Sequence, residues 1–289
     1  MLLIADSGST KTDWYFCAPK KGVVKKVHTV GFNPIVQSED FIRSHIVKAF
    51  VNEDLKQQVQ NVYFFGAGCS SEERQFKIKS ILSELFVQSS IEVSHDMQAA
   101  IIATCGDQPG FACILGTGSN AILYDGSKPI LPKGSLGIGY ILGDEGGGAH
   151  IGKLILRDFL YKNMPDQLHS YIEREVRLNK DLILDKVYKE PNANTFMASV
   201  VKEVYGFRET EYMQYLLAHV FNEFFKYNIL IYKDHINLPV HFVGSVATHF
   251  DKELIGVADK IGVRVGKIIQ KPIDSIVDYY LQKFRETAH

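Results

Sequence analysis

Two glycine- and threonine-containing turns hold the residues of this sequence best suited to chemistry. Leu2–Ala5, a short apolar run, leads into Asp6-Ser7-Gly8-Ser9-Thr10-Lys11-Thr12, and Ala112–Leu115 leads into Gly116-Thr117-Gly118-Ser119-Asn120. Glycine lets a backbone approach a ligand closely, and successive amide groups in such a turn form a concave anion-binding surface. Serine and threonine hydroxyls add further donors. Two such turns predict a site that binds one polyphosphate from two sides.

Asp6 opens the first turn, where a carboxylate cannot face phosphate directly. A Mg²⁺ ion that keeps several of its waters resolves this conflict, because it attracts both groups. The sequence therefore predicts that Asp6 binds Mg²⁺ through water. Taken alone, the segment from Asp6 to Thr12 could also be an ordinary hairpin turn, and it is the second turn that favours phosphate binding.

The overall composition is that of a globular protein and argues against several classes of binding partner and metal site. The chain has 289 residues, 46% of them hydrophobic and 22% charged, with a net charge of −1. This length suits two domains, and the neutral charge predicts no nucleic-acid or membrane partner. The four cysteines form no C-x-x-C pair, which argues against a zinc or iron–sulfur site. Asp6 interrupts the first apolar run and no basic residues precede it, so we expect no signal peptide and a cytoplasmic location.

The pattern of apolar residues predicts an α/β fold. The first hundred residues follow the order βββαβαβα and lead into a strand at Phe111–Leu115, as expected for helices that cover a mixed sheet. We expect a domain boundary near Pro109-Gly110, which divides the chain into domains 1–109 and 110–289. The region from about 149 to 232 is predicted to be mostly helical, and a last helix is predicted over 273–284. Predicted helices over 39–51 and 71–85 carry Phe41 and Phe76 on their buried faces.

Six segments, in this order, carry a resemblance to a known family. They are Asp6-x-Gly8-x-Thr10-x-Thr12, Gly31-Phe32-Asn33, Asp96, Gly116-Thr117-Gly118-Ser119-Asn120, Gly143-Asp144-Glu145-Gly146 and Gly244-Ser245-Val246-Ala247. Together they resemble the N-acetylglucosamine kinases and the related BadF/BadG/BcrA/BcrD ATPases, within the actin-like ATPase (ASKHA) superfamily. The helical region from 159 to 232 contributes no motif.

The resemblance implies two ribonuclease-H-like domains with an interdomain cleft that binds ATP, Mg²⁺ and a sugar. The second domain would carry a helical insertion, and the last helix could pack back on the first domain. Asp6 would hold Mg²⁺ through water. The implied contacts to ATP and its phosphates are Gly8, Ser9, Thr10, Lys11, Thr12, Gly116, Thr117 and Gly118, with Gly244 and Ser245 beside the adenosine.

Asp96 is the predicted catalytic base. It follows a predicted strand at 91–93 and precedes an alanine-rich helix, where α/β folds place reacting groups, and it matches the family's catalytic aspartate. A helix N-cap is the alternative role for Asp96. The resemblance implies that Asn33, Asp96, Thr117 and Asp144 bind the sugar. A turn before Pro34 and a loop that caps a helix are the alternatives for Asn33 and Asp144.

The predicted activity is ATP-dependent phosphorylation of the 6-hydroxyl of an amino sugar, with N-acetylglucosamine preferred. The relatives carry Gly-Gly-Trp-Gly where this chain has Gly134-Ser135-Leu136-Gly137, so glucosamine and N-acetylmuramic acid stay open as substrates. An ATPase that activates a partner enzyme, a sugar-responsive regulator and an actin-like polymer are the alternatives. A homodimer is the usual state in this group.

Overall fold

The computed structural model describes residues 1–8, 11–50, 53–132, 137–235 and 237–286. The chain divides into two compact units. One consists of Met1–Asp107 together with the described part of Lys271–His289, and the other of Gln108–Gln270. The second unit is therefore inserted into the sequence of the first. In the described part of the chain, no helix combines the length and the apolar character needed to span a bilayer.

The first unit is built on a five-stranded mixed sheet with the strand order β3-β2-β1-β4-β5. The strands β1, β2 and β3 are antiparallel neighbours, whereas β4 and β5 run parallel to β1. The elements are β1 Leu2–Ser7, β2 Lys11–Ala18, β3 Gly22–Val30, α1 Glu39–Phe50, β4 Asn61–Gly66, α2 Glu72–Leu85, β5 Ser90–His95 and α3 Asp96–Thr104, with a 3-10 turn at Asp54–Gln58.

Aromatic side chains fill the core of this unit. The ring of Trp14 lies 5.0 Å from that of Phe50, 5.6 Å from that of Phe64 and 6.4 Å from that of Phe32. All four side chains are fully buried. Because Trp14 lies on β2 and Phe32 just after β3, this packing fixes β2 against the segment that carries Asn33.

The second unit repeats the strand order of the first. Its sheet reads β10-β9-β6-β7-β8, with β6, β7 and β8 antiparallel and with β9 and β10 parallel to β6. The strands are β6 Gly110–Leu115, β7 Ser119–Tyr124, β8 Pro129–Ile130, β9 Val240–Val243 and β10 Val265–Ile269. The helices are α4 Gly139–Leu142, α5 Gly148–Leu160, α6 Asp166–Arg174, α7 Lys180–Tyr188, α8 Ala193–Glu203, α9 Glu211–Asn228, α10 Ser245–His249 and α11 Asp251–Ile261, with 3-10 turns at Tyr205–Phe207 and Lys233–His235.

The last helix, α12 Ile273–Glu286, belongs to the first unit, where it packs on α3 and β1. The side chains of Ile273, Ile276, Val277 and Leu281 are buried there. The expected bounds of the second domain, 110–289, include this helix, and the sequence also allowed it to pack back on the first domain, as it does. The chain itself crosses between units at Asp107/Gln108 and at Gln270/Lys271.

The mixed α/β architecture expected from the sequence is confirmed, but two details are wrong. Phe41 and Phe76, predicted on buried helix faces, are 39% and 69% exposed. On α2 the buried side chains are those of Ile78, Ile81 and Leu82. Phe76 precedes Ile78 by two residues, which is about 200° around an α-helix, so it points away from the sheet.

Candidate active site

The β1–β2 hairpin holds the first predicted phosphate turn. Asp6 lies opposite Asp13 and Ser7 opposite Thr12, and the Gly8 amide donates to the Lys11 carbonyl oxygen at 3.0 Å. Gly8 and Lys11 are exposed, as a contact to a ligand requires. Ser9 and Thr10, the other two predicted phosphate contacts of this turn, lie outside the described residues.

Thr12, predicted to lie near the phosphates, is instead committed to the hairpin itself. Its hydroxyl lies 2.7 Å from the Ser7 hydroxyl and donates to the Val30 carbonyl oxygen at 3.0 Å. The Phe32 amide donates to Ser7 Oγ at 3.0 Å, and both hydroxyl side chains are buried. Because its hydroxyl already has partners, Thr12 holds the hairpin beside residues 30–33 and does not present a donor to a ligand.

Asp6 lies among other carboxylates in the first unit. Burial, together with the negative charges of Asp13 and Asp96, raises its pKa from 3.8 to about 7, against the opposing effect of Lys271. The metal candidate and the base candidate are thus within electrostatic reach of each other. A cation placed here would relieve the repulsion that raises the Asp6 pKa.

Asp96 is the first residue of α3, and it does not cap that helix. The cap is His95, whose Nδ1 accepts from the Gln98 amide at 3.3 Å. Asp96 Oδ1 accepts from the Met97 amide at 2.9 Å. Burial raises the pKa of Asp96, although His95 and the Met97 amide act in the opposite direction. A partly buried carboxylate with a raised pKa suits a group that accepts a proton.

Asn33 begins a tight turn after β3. Its side-chain oxygen accepts from the Ile35 amide at 3.0 Å, and its own amide donates to Gln37 Oε1 at 2.9 Å. That side-chain oxygen also lies against the α-carbon of Gly68, which leaves no room for a Cβ there. Asn33 therefore stabilises a turn, which is the alternative role that the sequence allowed for it. Among the described residues no partner is recorded for its side-chain NH₂ group, which can donate to a sugar hydroxyl.

In the second unit, the β6–β7 turn is held by the first turn of α5. The Gly148 amide donates to the Gly116 carbonyl oxygen and the Ala149 amide to the Thr117 carbonyl oxygen, both at 2.8 Å. Within the turn the Gly116 amide donates to the Gly118 carbonyl oxygen at 3.0 Å. These bonds fix the backbone that was predicted to bind phosphate.

Asp144 lies directly against this second turn. A Cβ added to Gly118 would come within 2.5 Å of Asp144 Oδ2, so only glycine allows the carboxylate to lie so close. Asp144 has a φ of 59°, and its carbonyl oxygen accepts from the Gly147 amide at 3.0 Å. Burial and then Glu145 raise its pKa, opposed by a bond from the Ser119 amide and by Lys153. Gly118 and Asp144 thus lie in contact, next to Thr117 in the chain, and their role in sugar binding stays a prediction.

Gly244 joins the end of β9 to the same turn. Its φ is 126°, its amide donates to the Ile269 carbonyl oxygen at 2.9 Å, and its α-carbon contacts the Leu115 carbonyl oxygen. The next residue, Ser245, is exposed and begins α10. The predicted adenosine loop and the second phosphate turn are therefore neighbours within one unit.

A cavity of about 490 Å³ opens beside Asp144. Its walls include the side chains of His150, Glu223 and Tyr227. His150 Nε2 lies 3.5 Å from Glu223 Oε2, and Nδ1 accepts from the Gly146 amide at 3.3 Å. Burial, with help from Lys153, lowers the pKa of His150 to about 4, against the effect of Glu223. No local motif marks this histidine, because its partners come from α9 and from a loop.

Asp13 and Lys271 are a second feature that sequence reasoning missed. Lys271 Nζ lies 3.0 Å from Asp13 Oδ2, and Lys11 Nζ lies 2.7 Å from Oδ1. Burial alone would raise the Asp13 pKa, but bonds from Lys11, Lys271 and His28 outweigh it and lower that pKa. Asp13 and Lys271 are 258 positions apart, so no local pattern reveals the pair.

Metal-binding clusters are not found in the described part of the chain. No group of three or more His, Cys, Asp or Glu side chains there is arranged to hold a metal ion. All four cysteines are buried, and no disulfide joins them. A cluster of protein ligands is not needed for Mg²⁺, which keeps several waters and binds through one or two carboxylates. Asp6 fits that description.

Solved structures show what the whole chain is similar to. A candidate N-acetylglucosamine kinase from Porphyromonas gingivalis matches over 98% of this chain and 100% of its own, with 34% identity and a TM-score of 0.90. A second one, from Chromobacterium violaceum, matches over 96% and 98%, with 17% identity and a TM-score of 0.60. MreB5 of Spiroplasma citri, solved with ADP bound, shares the fold over 99% and 96%, with 11% identity and a TM-score of 0.52. No protein-family model and no curated protein sequence matches the chain.

Proposed function

The chain belongs to the sugar-kinase family of the Porphyromonas gingivalis protein, and we propose on that basis that it transfers the γ-phosphoryl group of ATP to the 6-hydroxyl of an amino sugar. N-Acetylglucosamine is the first substrate to test. The observation that carries the proposal is the match at 34% identity along the full length of both chains. Such a match covers the β1–β2 hairpin, Asp96 and the β6–β7 turn together. The finer link to the BadF/BadG/BcrA/BcrD ATPases is part of this proposal.

Asp96 acts as the base in this proposal. Phosphoryl transfer needs a group that orients the attacking hydroxyl and accepts its proton, and otherwise needs positioning and charge stabilisation. The Asp96 carboxylate lies at the N-terminus of α3, where His95 already provides the cap. Its second oxygen can therefore accept a hydrogen bond from the sugar. Burial brings its pKa closer to neutral pH, which favours proton transfer.

The nucleotide contacts in this proposal are those that the resemblance implies. They are Gly8 and Lys11 of the first turn, the amides of Gly116 to Gly118 in the second turn, and Gly244 and Ser245 toward the adenosine. Mg²⁺ would be held through water by Asp6 and would neutralise charge on the phosphates. Ser9 and Thr10 complete the first turn in this proposal.

The sugar is recognised by an amide and by carboxylates. Asn33 donates from its NH₂ group, Asp144 accepts hydroxyl protons, and Thr117 lies beside Asp144 on the β6–β7 turn. Carboxylates and amides suit vicinal hydroxyls because they accept or donate paired hydrogen bonds. Glucosamine and N-acetylmuramic acid differ from N-acetylglucosamine at the 2- and 3-positions, and the panel below separates them.

The experiment is release of ADP from Mg-ATP with each sugar in turn. The panel is N-acetylglucosamine, glucosamine, N-acetylmannosamine, N-acetylmuramic acid and glucose, with a control that lacks sugar. NMR of the product then locates the phosphate on the 6-position. Release stimulated by one amino sugar supports the proposal and identifies the substrate. Equal release with and without every sugar contradicts it and favours an ATPase that serves a partner protein. Sedimentation with and without ATP distinguishes a homodimer from the alternative of an actin-like polymer.

A further inference from the structure

One buried carboxylate binds two ammonium groups beside the first phosphate turn. Asp13 follows the turn on β2, and its side chain is 6% exposed. Lys11 and Lys271 bond to its two oxygens, yet both lysine side chains remain about half exposed, at 48% and 50%. His28 Nδ1 lies 2.6 Å from Asp13 Oδ1. The carboxylate is thus fully engaged, while the lysines still face solvent.

Two ammonium groups share one directly bonded carboxylate in this cluster. Asp6 is the other carboxylate close enough to Lys271 to interact with its charge. No other carboxylate in the described part of the chain is recorded within salt-bridge distance of Lys11 or Lys271. Each ammonium has three N–H donors and gives one to Asp13, so each keeps donors for another acceptor. Two half-exposed ammonium groups with spare donors at the edge of a glycine turn can bind an anion.

Lys271 is held in place by the chain that follows it. Pro272 restricts the backbone, and Ile273, the first residue of α12, is fully buried. Asp13 is equally fixed, because it lies in β2 opposite Asp6. The backbone of Lys271 is therefore held by the start of α12, and its ammonium group is held by Asp13, before any ligand binds. Such preorganisation strengthens binding, because less side-chain freedom is lost.

We propose that Lys271, together with Lys11, binds the terminal phosphates of the nucleotide, and that Asp13 is the residue that positions both. The identity of that nucleotide as the phosphoryl donor rests on the proposed function. Lys11 and the glycine turn are local in sequence, whereas Lys271 comes from the segment that returns to the first unit. The competing interpretation is that the Asp13–Lys271 pair only attaches the last helix to the sheet.

Nucleotide binding measured by calorimetry without sugar separates these two roles. Lys271→Met is compared with wild type for ATP, ADP and adenosine, each with Mg²⁺. Loss of one charge-assisted contact weakens ATP and ADP binding by about tenfold and leaves adenosine binding within about twofold. Lys271→Arg keeps the charge and restores most of the affinity. Lys283→Met is the matched control, because Lys283 is a half-exposed lysine of α12 that also pairs with one carboxylate, Asp107.

Several results would overturn the inference. They are an unchanged affinity for ATP in Lys271→Met, an equal loss for adenosine, an equal loss in Lys283→Met, or a wild-type protein that binds no nucleotide. The assay requires no turnover, so it is independent of the sugar. If no sugar stimulates ADP release but ATP binding depends on Lys271, the proposed function fails and this inference stands. If an amino sugar stimulates ADP release and Lys271→Met binds ATP normally, the proposed function stands and the inference on Lys271 fails.

Discussion

Replacing Gly118 by alanine tests whether the second phosphate turn sets the position of Asp144, the carboxylate proposed to bind the sugar. The new Cβ would lie 2.5 Å from Asp144 Oδ2 and 2.9 Å from its Cγ, whereas ordinary contact begins at 3.4 Å. Asp144 must therefore withdraw by about 0.9 Å. A displacement of about 1 Å in a positioning group costs roughly 100-fold in rate. We expect kcat/KM for the sugar to fall by about that factor, mainly through the sugar KM.

The assay is ADP release at varied sugar and saturating ATP, with thermal denaturation to show that the variant folds. Gly256→Ala is the control, because Gly256 is in the same unit and nothing lies within 4 Å of its Cβ position. In an Asp144→Ala background, Gly118→Ala should cause little further loss, because the contact is already gone. A folded Gly118→Ala enzyme with normal sugar kinetics, or losses that add in the double variant, would refute the reasoning.

Three further predictions concern single side chains. Asp96→Asn should retain ATP and sugar binding while kcat falls by about 10²–10⁴-fold, the usual contribution of a general base; near-normal turnover in rapid-mixing assays would leave Asp96 without that role. Asn33→Ala should raise the sugar KM far more than the ATP KM. Asn33→Asp keeps the oxygen that accepts from the Ile35 amide, so it should also raise the sugar KM if the NH₂ group binds the sugar. His150 should make stability sensitive to acid. Its pKa is lowered from 6.5 to about 4 on folding, so below 6.5 the unfolded chain takes up a proton that the folded chain refuses. The free energy of unfolding should therefore decrease as the pH falls, by roughly 2 kcal/mol near pH 5, and His150→Gln should lack that part of the decrease in urea titrations. Parallel pH curves for the two proteins would contradict this assignment.

Features that depend on neighbours in the chain could be predicted from the sequence. The strands β1 and β6 are buried apolar runs, and both strands occur where expected. Gly244 follows β9 in the same way, and Ser71 caps α2 by accepting from the Arg74 amide. In each case the signal and the structure involve residues within a few positions of one another.

Features that depend on tertiary partners could not be predicted. The Asp13–Lys271 pair joins distant positions, and nothing near Lys271 distinguishes it from a surface lysine. The edge strand β10 is only partly buried, so it lacks the apolar run that identifies a strand. The cap of α3 falls on His95, although aspartate is the commoner capping residue. The burial of Thr12 likewise follows from its bond to Val30 on another strand.

The placement of α12 in the first unit has a consequence for biosynthesis. A ribosome completes β1 to α3 early, but the helix that covers α3 and β1 emerges only after residues 108–270. Translation of residues 108–270 takes roughly 10 to 30 s at about 5–20 residues per second. During that interval the nascent first unit exposes the apolar surface later covered by Ile273, Ile276, Val277 and Leu281, while the continuous second unit already has its whole sequence. The first unit to be translated is therefore the last to complete its fold, and it is the one that would need a chaperone during synthesis.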